Sequence, residues 1–229
     1  MSQLTLQIQS IANAIQDISQ LHQNQSEKWL QDNSDAINLK KTLLRDICSY
    51  DQSDSAETIS FSADFIKLMN KYCNDLNNIY LSPFYDFIEW DFENTNRIKD
   101  PVSRLAKIIH YVSGKNEGGK VSIKKCLNDL FGFRIFVQDF NHTEENYILI
   151  RDQILMPNVK ITNSSKSGYL ATHVYFSNGN NKCFPWELQL WNLSDVDSNF
   201  RSHSIHKQGY TKWVSVFKEA EIVGRRLNG

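Results

Sequence analysis

Glycine and charge divide unevenly along this sequence, and that division constrains the fold more than any other feature. All nine glycines lie at Gly114 or beyond. Residues 1–96 carry 6 Lys and Arg against 14 Asp and Glu, a net of −8, whereas residues 97–229 carry 19 against 12, a net of +7. The total of −1 therefore joins an acidic, glycine-free front to a basic, glycine-bearing back, and the sum alone hides any affinity for polyanions. At 229 residues, 41% hydrophobic and 12% aromatic, the chain can bury a core without covalent staples, and the composition excludes a disordered chain.

The four cysteines (Cys48, Cys73, Cys126 and Cys183) form no C-x-x-C pair and no Cys/His spacing suited to zinc. Buried, reduced thiols in a cytoplasmic protein are the expectation. The N-terminus, Met1 to Leu6, lacks the basic and apolar regions of a signal peptide, and no apolar run approaches the roughly 20 residues of a membrane span. A soluble protein with no membrane partner follows.

The front reads as helices. Leu4, Ile8, Ile11, Ile15, Ile18, Leu21 and Leu30 recur at helical spacing and predict an amphipathic helix over residues 3–30. Ser34 or Asp35 is placed to cap a second helix through about Tyr50, carrying Ile37, Leu43, Leu44 and Ile47. The polar stretch 49–56 reads as a loop. A third helix follows Ser60 or Ser62, with Phe65, Ile66, Leu68, Met69, Tyr72 and Leu76, and ends near Pro83. These helices are expected to cover a sheet, or to present apolar stripes to a second copy or a regulator.

After Val121 the period shifts toward two. Phe131, Phe133, Ile135 and Val137 fall on one face of a strand, with Gly132, Arg134 and Phe136 on the other. Residues 144–155 read as a helix. Residues 171–176 read as a strand on which His173 and Tyr175 share a face. In a third strand Trp186, Leu188 and Leu190 oppose Glu187, Gln189 and Trp191, and the chain turns helical again from about Asn199 to Arg226. The expectation is an α+β fold, a mixed β-sheet flanked by helices with an N-terminal helical extension.

The polar residues on these strands carry the chemistry. Glu187, inside an apolar strand, is costly to bury as a charge unless it meets a metal or a cation. Asp129 falls just before another strand, and Arg134 sits within it. One carboxylate from each of two strands, amid basic residues, suits Mg²⁺ on a polyphosphate. An ion pair of Glu187 or Asp129 with Arg134 is the alternative. Arg97, Lys99, Arg104, Lys107, Lys115, Lys120, Lys124 and Lys125 form the surrounding basic set, punctuated by Gly114, Gly118 and Gly119. It fits a solvated face or a phosphate ligand, and the +7 favours the ligand. Neither G-x-x-x-x-G-K-[ST] nor G-x-G-x-x-G occurs.

Four segments resemble a known family. Arg97-Ile98-Lys99 with Pro101 and Ser103, followed by Lys107, resembles the R-x-K-x-P-x-S opening of the RelA/SpoT-type (p)ppGpp synthetase domain. Asp129 to Arg134 resembles its D-x-x-G-x-R, Gly168 to His173 its G-Y-x-x-x-H, and Glu187 to Leu190 its E-[IV]-Q-[IL]. His206 and Tyr210 fall where the family has a late His and Tyr.

The resemblance implies a nucleotidyltransferase-like synthetase fold over residues 91–229, with residues 1–90 as a helical region packed on it. It implies an ATP-dependent 3′-pyrophosphokinase using Mg²⁺. Asp129 and Glu187 would hold the metal, and Glu187 would also activate the hydroxyl. Arg97 and Arg134 would sandwich the adenine, and Lys99 and Lys107 would meet ATP. Tyr169 would stack on the acceptor base, with His173 and Gln189 beside it. No His-Asp pair of the family's hydrolase domain occurs, so a synthetase-only member is expected. Trp191 stands where the family usually has Arg, and Leu170 where it has a polar or basic residue. Both departures remove polar contacts on the acceptor side. The acceptor is thus a guanine nucleotide or, as in toxin-type relatives, the 3′ end of tRNA, in which case an antitoxin partner is implied.

Overall fold

The structure is a computed structural model and describes residues 3–52, 57–80, 90–113, 117–154 and 156–205. The late His206 and Tyr210, Pro83, Gly114 and Lys115 lie outside the described residues.

The long helix α1 (Gln3–Asp32) forms as its apolar spacing predicts. Ile8, Ile11, Ile15, Ile18 and Leu21 are buried, whereas Leu4 is exposed. The predicted second helix is absent. Residues 33–47 instead form turns and a single 3₁₀ turn (Leu44–Asp46), leading into the hairpin β1 (Cys48–Gln52) and β2 (Glu57–Phe61). The side chain of Asn38 explains the turn: its Oδ1 accepts from the backbone N–H of Lys40 at 3.1 Å and of Lys41 at 3.0 Å. Such a local bond competes with helical pairing. The backbone of this stretch also pairs with distant segments, as in Leu39 N–H to Asn181 O at 2.7 Å and Leu44 N–H to Val121 O at 2.9 Å. The stretch read as a loop over 49–56 therefore contributes a strand. Helix α2 (Ala63–Tyr80) follows, with the Ser62 hydroxyl accepting from Phe65 N–H at 3.4 Å.

Strand β3 (Asn94–Ile98) and helix α3 (Pro101–Val112), neither read from the sequence, come next. Asp100 caps α3, its Oδ1 accepting from Ser103 N–H at 2.9 Å, and Pro101 starts the helix. A short α4 (Ile123–Cys126) leads to β4 (Phe131–Val137), α5 (Glu144–Gln153), β5 (Val159–Asn163), β6 (Thr172–Phe176) and β7 (Trp186–Asn192). A helix over 196–205, α6, ends the described chain. The five-stranded sheet has the order β3-β4-β7-β6-β5, with β4 and β7 parallel and every other pair antiparallel. It is the mixed sheet flanked by helices that the sequence predicts.

One face of this sheet makes the main core. Phe131, Phe133, Ile135, Trp186, Leu188 and Val174 pack there in one cluster with α1 and α2. Trp186 is its centre. It lies edge-on to Phe131 and to His22 of α1, and its Nε1–H donates to the Tyr72 hydroxyl of α2 at 2.8 Å. The acidic front and the basic back therefore share one hydrophobic interior. Among the described residues no helix is long and apolar enough to cross a membrane.

His22 carries a pH dependence. Its Nε2–H donates to Phe184 O at 3.0 Å, and burial brings its pKa down to about 4, with the Lys124 charge pushing the same way. A depressed histidine favours folding while neutral, so this contribution is complete above the unfolded value near 6.5 and is lost as pH falls toward 4. The loss amounts to about 3 kcal/mol. His22→Gln keeps an N–H donor but cannot titrate. Urea unfolding at pH 7, 5.5 and 4.5 should therefore show the wild type losing stability relative to the variant as pH falls. Parallel loss in both proteins would contradict this account.

Candidate active site

The opposite face of the sheet carries the polar residues, and strand register arranges them in rows. Arg97 on β3 lies opposite Gly132 on β4, which lies opposite Glu187 on β7, which lies opposite Tyr175 on β6. The next row runs Thr95, Arg134, Gln189 and His173, and beyond it Phe136 lies opposite Trp191. Because side chains alternate across a strand, all of these share one face. Gly132 leaves a gap in the first row: a Cβ placed there would have only Glu187 O within 4 Å, at 3.9 Å. A cleft opens over that gap, lined by Thr95, Asn96, Arg97, Asp129, Gly132, Phe133, Arg134, Glu187 and Gln189.

Asp129 enters the cleft from the loop before β4. Its Oδ2 accepts from Lys99 Nζ at 2.6 Å and its Oδ1 from Lys107 Nζ at 3.1 Å. Lys99 follows β3, its backbone N–H pinned to Leu130 O at 2.8 Å, and Lys107 comes from α3. Burial opposes ionisation of Asp129, but the charges of Lys107 and Lys99 outweigh it and hold the carboxyl well below the usual carboxylate range. The two lysines differ. Burial and the nearby charges of Lys107 and Arg97 leave Lys99 lowered despite Asp129. Burial acts on Lys107 too, but Asp129, with help from Glu187, leaves it raised.

Glu187 is 7% exposed, and each of its oxygens is held. Oε1 accepts from His173 Nδ1–H at 2.9 Å, and Oε2 from Gln189 Nε2–H at 2.8 Å. Burial raises its pKa, but the hydrogen bond from His173 leaves it lowered, so at neutral pH it is an ionised, oriented carboxylate.

Arg134 pairs with neither carboxylate directly among the described residues. Its Nε and Nη2 donate to Gln189 Oε1 at 3.2 and 2.9 Å, and its guanidinium lies 3.6 Å from the centre of the Trp191 ring. The ion pair offered as an alternative from the sequence is therefore replaced by a relay through Gln189. Burial and the Arg97 charge bring the Arg134 pKa down to about 10, which leaves it charged at pH 7.

Of the residues singled out from the sequence, Arg97, Asp129, Arg134, Glu187 and Gln189 line the cleft, and Lys99 and Lys107 reach it through Asp129. His173 and Tyr169 sit behind Glu187. The Tyr169 ring is 8% exposed and edge-on to His173, Trp191 and His203. Tyr175, His203 and Phe200 were not read as site residues. Tyr175 bonds His173 Nδ1 at 3.2 Å, and its shared face with His173 was the available signal. His203 packs on Tyr169 and Trp191, and burial with the Arg134 charge brings it down to about 4, hence neutral. Phe200 is half exposed, 5.2 Å from Trp191 between ring centres. No period marks either residue, because α6 approaches the sheet through tertiary packing.

No protein-family model matches this chain, and no curated protein does. Among solved structures it is similar to the small alarmone synthetase 1 from Bacillus subtilis, at 17% identity and a TM-score of 0.34, over 72% of this chain and 97% of that one. The structure of that synthetase bound to its product pppGpp gives 17% identity and a TM-score of 0.33 over 69% and 92% of the two chains. The structure bound to AMPCPP gives 16% and 0.31 over 73% and 96%.

The Asp129 cage has a direct test. Asp129→Asn leaves the Lys99 and Lys107 ammonium groups facing each other without their anion, which costs about 3 kcal/mol. Urea unfolding should show that loss, and Lys107→Met in the same background should recover part of it. An Asp129→Asn protein as stable as the wild type would contradict the cage.

Proposed function

We propose that this chain is an ATP-dependent pyrophosphokinase that transfers the β,γ-pyrophosphate of ATP to the 3′-hydroxyl of a guanine nucleotide, GDP or GTP, giving (p)ppGpp. One observation carries the reading. Two arginines from adjacent strands and two carboxylates from separate segments line one cleft, with two lysines held on one of those carboxylates.

The chemistry needs positioning and charge neutralisation rather than a nucleophilic side chain. The adenine ring is taken between Arg97 and Arg134, whose planar guanidiniums stack on aromatic faces. Lys99 and Lys107 exchange Asp129 for the phosphate oxygens as the triphosphate enters. The acceptor 3′-oxygen attacks the β-phosphorus, its bond to the α–β bridging oxygen breaks, and AMP leaves. Glu187, already ionised and aimed by His173 and Gln189, accepts the hydroxyl proton.

Among the described residues no group of three or more His, Cys, Asp or Glu forms a dedicated metal cage. Two carboxylates on one cleft nonetheless fit Mg²⁺, which is held by one or two carboxylates together with substrate phosphates. Asp129 and Glu187 would hold it, and when bound it neutralises charge on the phosphate oxygens.

Incubation with β-labelled ATP and GDP, GTP, ATP or bulk tRNA tests the reading. Label in a guanosine tetra- or pentaphosphate is the expected result. Label on tRNA instead identifies a tRNA-modifying toxin and overturns the guanine acceptor. Glu187→Gln should lower the transfer rate about a thousandfold, and full activity in that variant would remove Glu187 from the mechanism. Gly132→Val fills the cleft floor while suiting a β-strand. It should weaken binding of AMPCPP at least about tenfold through steric exclusion and leave the unfolding midpoint within about 1 kcal/mol of wild type. Unchanged AMPCPP binding would place the nucleotide elsewhere.

A further inference from the structure

Trp191 is fully buried, and two chains of contacts that hold Glu187 end on it, the Tyr175 hydroxyl being a further neighbour of that carboxylate. The first arm runs from its ring to the Arg134 guanidinium at 3.6 Å, from Arg134 to Gln189 Oε1 at 2.9 Å, and from Gln189 to Glu187 Oε2 at 2.8 Å. The second runs from its Nε1–H to the Tyr169 hydroxyl at 3.2 Å, from Tyr169 to His173 Nε2 at 2.8 Å, and from His173 Nδ1 to Glu187 Oε1 at 2.9 Å.

Donor chemistry sets the direction of the second arm. An indole N–H can only donate and an ionised carboxylate can only accept, so the Tyr169 oxygen accepts from Trp191 while Glu187 Oε1 accepts from His173 Nδ1–H. The Tyr175 hydroxyl also lies 3.2 Å from His173 Nδ1, so the Tyr169 hydroxyl at Nε2 is the contact that ties the imidazole ring to Trp191. In the first arm the ring lies against the Arg134 guanidinium and limits its tilt, with the centre of the Phe200 ring 5.4 Å away, and Arg134 lines the cleft.

We propose that Trp191 is a positioning residue that fixes the plane of Arg134 for the nucleotide base and, through the Tyr169 hydroxyl, the orientation of the His173 ring for Glu187. This rests on the ATP-site reading above. It gives a role to the residue that departs from the synthetase pattern, and it couples occupancy of the base site to the aim of the acceptor-activating carboxylate.

Four variants test it. Trp191→Phe keeps a ring beneath Arg134 but loses the donor, and Tyr169→Phe removes the hydroxyl between Trp191 and His173. Each should lower kcat of pyrophosphate transfer about tenfold through misaimed Glu187, with AMPCPP affinity by calorimetry within about twofold of wild type. Both cut one arm, so the double variant should be no slower than the slower single one. Trp191→Leu loses the stack as well, and should weaken AMPCPP about tenfold. Long-range ¹H–¹⁵N spectra of the imidazoles should show the His173 Nε2 resonance shifted in both Phe variants, as its hydrogen bond to Tyr169 is loosened or lost. If Trp191→Leu does not fold, the two Phe variants and the spectra still decide the matter.

Unchanged kcat in both Phe variants, multiplying losses in the double variant, or an unaltered His173 Nε2 resonance would overturn the proposal while leaving the ATP-site reading intact. Failure of the wild-type protein to bind AMPCPP would remove that reading and this inference with it.

Discussion

Parallel pairing of β4 with β7 sets Gly132 beside Glu187 and Arg134 beside Gln189, and the rest of the site is hung on that register. A slip of one residue would send the core side chains Phe133 and Leu188 to the cleft and the charged ones to the core. The register is held by the apolar face. Phe131, Phe133, Trp186 and Leu188 are buried against α1 and α2, so the packing that stabilises the fold also aims the polar row. Trp186 and Glu187, adjacent on β7, belong to the two opposite jobs of one strand.

Burying charge on the other face is costly, and the structure answers it with donors rather than simple pairs. Each oxygen of Asp129 accepts from a lysine, and each oxygen of Glu187 from His173 or Gln189. Both carboxylates therefore stay ionised at neutral pH. The same donors are mobile enough in kind to serve a polyphosphate: a lysine ammonium that satisfies a carboxylate can satisfy a phosphate oxygen without a change of charge state. The aromatic group behind Glu187, built from Tyr169, Trp191 and His203, packs against the side chains that hold the carboxylate.

Much of this was legible in the sequence. The long helix α1, the third helix α2, and the strands β4, β6 and β7 follow from spacing, because each buries a strong apolar face. Strands β3 and β5 were silent. They flank the sheet at its two edges, and Asn94-Thr95-Asn96-Arg97-Ile98 has no alternation to read. The helix expected over 34–50 gave way to turns because Asn38 bonds its own backbone and because Leu39 and Leu44 pair with distant segments, which no local pattern records. In the site, the motif residues around Asp129, Arg134 and Glu187 were visible, whereas the Trp191 stack and the packing of His203 and Phe200 arise from tertiary approach. The opening division of charge was also only half a structural fact, since the acidic front and basic back share one core.

The most direct test of a single nucleotide cleft between β3 and β7 is a crystal structure of the protein grown with AMPCPP and Mg²⁺. The adenine ring is expected between the Arg97 and Arg134 guanidiniums, with Lys99 and Lys107 moved from Asp129 onto phosphate oxygens. Adenine bound away from those two arginines, with both lysines still on Asp129, would contradict the account.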